Sequence, residues 1–100
     1  MSIKKQYLKS KPICKVTFAI TPEDDAAQVS VVGSFNEWSA EANPLKKLKN
    51  GTFKGTIDLE KDKSYEFKYL IDETVYTNDE AADALVWNDY AGAENSVVTV

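Results

Sequence analysis

The side chains able to do chemistry in this chain are defined first by what is missing. There is no histidine, and cysteine occurs once, as Cys14. Without an imidazole, no Ser-His or Cys-His pair can activate a nucleophile, and the zinc sites built from Cys and His spacings are excluded as well. Cys14 alternates with Val16, Phe18 and Ile20, so it reads as a buried free thiol with no partner for a disulfide. Carboxylates are plentiful, and two of them facing each other across a bond suffice for glycoside hydrolysis. A chain of 100 residues, however, holds one core and no separate catalytic module. The acids Asp79, Glu80, Asp83 and Asp89 lack the alternate-position ligands and the glycine of a Ca²⁺ loop and read as a solvated face. No catalytic residue, metal or cofactor is expected.

Charge narrows the partners. The net charge of −4 argues against a nucleic-acid surface, which needs a basic stripe to neutralise phosphates. The charge is also lopsided: residues 1–15 carry five lysines and no acid, and residues 72–94 carry seven acids and no lysine, so the two ends can attract one another. No apolar run approaches the roughly 18 residues needed to span a bilayer, and Met1 to Pro12 lacks the apolar stretch of a secretory signal. The expectation is a cytoplasmic protein with no membrane partner.

The elements that position these groups follow from periodicity. Ile13 to Ile20 alternates apolar and polar residues with the period of a half-buried strand, and Gln28 to Val32 resumes it before Gly33. Leu45–Leu48 and Thr52–Leu59 flank Lys49-Asn50-Gly51, a hairpin signal that calls for positive φ at Asn50 and Gly51. Ser64 to Ile71 puts Tyr65, Phe67, Tyr69 and Ile71 on one face and Glu66, Lys68 and Leu70 on the other, so the aromatic stripe is core and Lys68 stands on its reverse. Asp72-Glu73-Thr74 is a turn into a short strand at Val75–Thr77, and Ser96–Val100 closes the fold. Residues 78–94 read as irregular, with a marginal helical turn competing over Asp79–Leu85. Residues 1–12 form a basic N-terminal segment for which partial order is expected, and residues 13–100 form one domain. The fold class is all-β, an immunoglobulin-like β-sandwich of six to eight short strands.

Gly33-Ser34-Phe35-Asn36-Glu37-Trp38 resembles the G-x-F-N-x-W segment of the family-48 carbohydrate-binding modules, which include isoamylase N-terminal early-set domains and the glycogen-binding domain of the AMP-activated protein kinase β subunit. Tyr65-Glu66-Phe67-Lys68-Tyr69-Leu70-Ile71-Asp72 is similar to that family's aromatic-x-aromatic-Lys strand, and Glu94-Asn95-Ser96-Val97-Val98 to its closing strand. The three motifs occur in family order and span the chain from about residue 13 to its end. The resemblance implies a non-catalytic module that binds α-1,4-glucan or maltooligosaccharide, with Trp38 and Tyr76 stacking on sugar rings and Lys68 and Asn95 meeting hydroxyls. Relatives that hydrolyse glucan do so on a separate barrel domain. Two positions depart from the pattern: Tyr76 stands where kinase-type modules have a second tryptophan, and Ala91 where some relatives have a leucine that reaches the glucan.

Each implied role has a structural competitor. Trp38 is either a platform on a loop or a plug at the end of the second strand; Tyr76 lies in a strand too short for alternation to fix its face. Lysines on open sheet faces are often solvated or paired with an acid, and an asparagine before a strand often satisfies a turn. Trp87, outside the three motifs, either covers the open edge of the core or adds a further platform, and the exposure of its indole decides. The competing function is a structural or protein-interaction domain that kept the fold and lost sugar binding, serving a glycan-active enzyme or another protein.

Overall fold

The computed structural model describes residues 2–23, 25–90 and 92–100. Alternation builds it. In β2 (Ile13–Ile20), Cys14, Val16, Phe18 and Ile20 are buried and the residues between them are half-buried. β2 lies between β1 (Ser2–Tyr7) and β5 (Phe53–Glu60), and β4 (Lys46–Lys47) completes a sheet of order β1-β2-β5-β4. The second sheet runs β3 (Val29–Gly33), β6 (Ser64–Ile71), β9 (Ala93–Thr99) and β8 (Ala84–Asn88), with β7 (Val75–Thr77) paired to the end of β6 beyond its pairing with β9. All pairings of named strands are antiparallel.

Between the sheets, Phe18 meets Phe67 edge-on at 5.0 Å between ring centroids, and Phe67 meets Tyr69 at 5.8 Å. Val29, Val31, Phe53, Leu59 and Val98 fill the space around them. The fold is the expected immunoglobulin-like all-β sandwich, and the aromatic stripe of β6 faces its core.

Two strands beyond those read from the sequence join the sheets. β1 extends the first sheet along β2, with Ile3 packed against the core and its lysines on an outer edge, where charge guards against unwanted strand pairing. β8 replaces the irregular segment, because β9 offers it a ladder from Ala84↔Val97 to Asn88↔Ala93. Before it, Asp79 to Ala82 makes a single turn closed by the Ala82 N–H on the Asp79 carbonyl, and no helix forms among the described residues. Lys5 reaches Asp83 at 2.8 Å, which joins the basic N-terminal strand to the acidic stretch.

Turn geometry also departs from expectation. The β4–β5 hairpin forms, but only Gly51 takes a positive φ, at 87°, while the Gly51 N–H closes a turn on the Leu48 carbonyl. That arrangement fits a three-residue loop ending in a left-handed glycine, in place of a two-residue turn with both residues left-handed. Two successive left-handed residues occur instead at Asp72 and Glu73, between β6 and β7. There the Asp72 carboxylate accepts the Ala27 and Gln28 N–H groups at 2.8 and 2.9 Å.

Candidate functional site

The segment after β3 divides its side chains between core and surface. Gly33 ends the strand where a Cβ would lie 2.5 Å from the Glu66 carbonyl oxygen, so a larger residue does not fit. Phe35 turns inward onto Phe18, with 6.2 Å between ring centroids. Asn36 latches the loop: its Oδ1 accepts the Gly33 N–H at 3.0 Å, and its Nδ2 donates to the Val31 carbonyl at 3.0 Å and to Asn43 Oδ1 at 2.7 Å. Glu37 and Trp38 then both adopt left-handed backbone, φ 58° and 59°. Each such residue costs about 1–2 kcal/mol in a chain of L-amino acids. The latch, the Phe35 contact and the Trp38 N–H on the Gly33 carbonyl hold the conformation. Trp38 emerges with 39% of its surface exposed.

Lys68 and Asn95 form the floor. The register Val32↔Lys68 on one side of β6, and Phe67↔Ser96 on the other, sets Asn95 opposite Lys68 on the outer face of the sheet. The Lys68 side chain makes no ion pair or hydrogen bond with a described residue. Asn95 is only 3% exposed, and its Nδ2 donates to Glu66 Oε1 at 3.1 Å. A carboxylate can be met only by the N–H end of the amide, which orients the group and directs its carbonyl oxygen away from Glu66. Tyr76, paired with Leu70 across β6–β7, is 60% exposed.

The exit of β7 is fixed from beneath. The buried Tyr69 phenol donates to the Asp79 carboxylate, and burial, followed by that carboxylate, pushes the phenol far above its ordinary pKa, so it stays a donor. The Asp79 N–H donates to Ser96 Oγ at 3.0 Å, Ser96 Oγ to Asn78 Oδ1 at 2.9 Å, and Asn78 Nδ2 to the Glu94 carbonyl at 3.0 Å. This chain of bonds ties the residues after Tyr76 to the start of β9.

Trp38, Lys68, Tyr76 and Asn95 line one cleft of about 610 Å³, together with Asn88, Tyr90 and Ala93. The volume falls within the ~300–1,000 Å³ of ligand clefts. A second cleft, of about 460 Å³ around Pro22, Asp72 and Val75, has no aromatic ring in its lining. Trp87 does not line the first cleft: it lies opposite Glu94 on β8, one residue out of phase with Asn88, and therefore on the other face of the sheet. There it is 63% exposed and donates from Nε1 to Asp89 Oδ1. Ala91 lies outside the described residues. Sequence reasoning missed Tyr90, although a large aromatic between Asp89 and Gly92 was a visible signal, and it missed Asn36, whose role depends on backbone groups that no motif displays.

Residues 16–100 match the family model described as the glycogen recognition site of AMP-activated protein kinase. The chain belongs to this family. A search of curated proteins gave no match. The family match takes in Trp38, Lys68, Tyr76 and Asn95 and every strand from β3 to β9, so the whole cleft lies inside the glycogen-recognition domain. The family is a binding module, not an enzyme.

Proposed function

We propose that this domain binds α-1,4-linked glucan, in glycogen or as maltooligosaccharide, across the cleft between Trp38 and Tyr76, and that it works by recruitment without reaction. The reading rests on the four side chains lining a single cleft. A pyranose presents axial C–H groups on its faces and hydroxyls around its rim. Exposed aromatic rings cover the C–H faces, gaining both from burial and from the contact of C–H dipoles with the π cloud. The Lys68 ammonium donates hydrogen bonds to hydroxyls, and the Asn95 carbonyl can accept from one.

Hydroxyls exchange one set of hydrogen bonds for another on leaving water, so the net gain per bond is only about 0.5–1.5 kcal/mol. Two platforms and two polar partners then support a Kd of roughly 10 μM to 1 mM. Retention on a polymer comes from repeated sites along the chain. A partner enzyme, carried to the glucan by this domain, completes the proposal. Titration with maltoheptaose followed by tryptophan fluorescence tests the sugar, with no response at millimolar concentration as the contrary result. Capture of a glycan-active enzyme from lysate, compared with and without maltodextrin, tests the partner.

A further inference from the structure

One wall of the cleft is supplied by none of the four residues above. Tyr90, in the turn between β8 and β9, lines the same cleft as Trp38 and Tyr76 and is fully exposed. Its side chain makes no hydrogen bond or ring contact with a described residue. A bare ring in this position contributes little to the stability of the fold, and its whole apolar surface is available to a ligand.

Register shows how far it stands from the other end. Val32, Lys68, Asn95 and Val86 make one row across β3, β6, β9 and β8, a span of three inter-strand steps or roughly 14 Å. Trp38 hangs from the loop after β3 and Tyr90 from the turn after β8, the outermost strands of that row, with Lys68 and Asn95 on the two strands between. One sugar ring cannot bridge loops carried on opposite edges of the sheet; a run of several can.

Resting on the glucan reading above, we infer that Tyr90 is a third stacking platform and that it makes the cleft select glucan by length. A chain of several consecutive glucose units engages Trp38, Tyr76 and Tyr90 in turn, whereas a short sugar engages part of the set. The selectivity comes from the turn after β8, outside the motifs that carry the family resemblance.

The experiment is calorimetric titration of the whole protein and its Tyr90→Ala and Tyr90→Phe variants with maltose and with maltoheptaose. Tyr90→Ala weakens maltoheptaose about five- to tenfold, the loss of one covered ring face, and leaves maltose unchanged, so the ratio of the two affinities contracts. Tyr90→Phe keeps the wild-type ratio, since stacking needs the ring and not the hydroxyl. A wild-type ratio in Tyr90→Ala, with maltoheptaose still bound, overturns the role of Tyr90 and leaves the glucan reading standing. Equal losses in both variants overturn stacking in favour of a hydroxyl contact. Failure of the wild type to bind either sugar overturns the glucan reading itself, and this inference with it.

Discussion

Replacing Asn36 by alanine removes three hydrogen bonds at once: one accepted from Gly33, one donated to Val31 and one donated to Asn43. At about 0.5–1.5 kcal/mol net for each, the latch contributes about 1.5–4.5 kcal/mol, a large part of the ~5–15 kcal/mol that holds a small domain together. Its loss falls on the loop where Glu37 and Trp38 are left-handed, so the strain of about 1–2 kcal/mol per residue is free to relax by moving the indole. Apparent affinity scales with the fraction of molecules whose loop is competent. If that relaxation leaves the displaced loop favoured by about 1.4 kcal/mol, only about one molecule in ten is competent and affinity for glucan drops about tenfold, although Asn36 does not line the cleft. The assay pairs urea unfolding with a maltoheptaose titration at a temperature where Asn36→Ala remains folded. A variant that loses stability yet binds within twofold of wild type would show that the loop holds Trp38 without its latch.

Other consequences follow from single groups. Burial raises the Asp83 carboxyl, but the Lys5 ammonium and the Thr99 N–H outweigh it and hold the pKa below its ordinary 3.8. A carboxyl depressed in the folded state contributes stability above its unfolded pKa and loses it as pH falls through the folded one. Asp83→Asn should therefore be less stable than wild type at pH 7, by under ~1 kcal/mol for so exposed a pair, and the difference should shrink as pH falls below the ordinary 3.8 of the carboxyl and close once the folded-state carboxyl is protonated, in melts taken across the acid range. Tyr69→Phe leaves the buried Asp79 carboxylate short of a donor and should cost about 2–4 kcal/mol by chemical unfolding. Glu73→Gly, at φ 61°, relieves about 1–2 kcal/mol of left-handed strain against up to ~1 kcal/mol of glycine entropy. It should raise the melting temperature by a few degrees with affinity unchanged.

Much of the fold was legible because one-sided burial leaves a mark in the sequence. β2 and β6 have the expected bounds, since apolar and polar residues alternate over a core that rejects a one-residue slip, and β7 has them because the Asp72-Glu73-Thr74 turn marks where it begins. β8 left no such mark: every residue from Ala84 to Trp87 is exposed on an edge strand, and its pairing depends on β9. β1 hid for a related reason, behind the lysines of its outer edge. The four site residues came from resemblance to a family, but their meeting did not follow from sequence. It depends on the register that sets Asn95 opposite Lys68 and on a loop that holds Trp38 in left-handed backbone. Trp87 illustrates the reverse case, an aromatic of the right chemistry on the wrong face by one residue of phase.

The two tryptophans make glucan binding in the cleft measurable in one spectrum, because one indole lines the cleft and the other lies on the opposite face of the sheet. In a two-dimensional ¹⁵N–¹H spectrum of the labelled protein, each gives its own indole resonance, assigned by Trp87→Phe. On titration with maltoheptaose the Trp38 signal should move progressively to saturation while the Trp87 signal stays in place. Movement of Trp87 with Trp38 unmoved, at sugar concentrations where binding occurs, would place the glucan on the other face of the sheet and rule out the cleft.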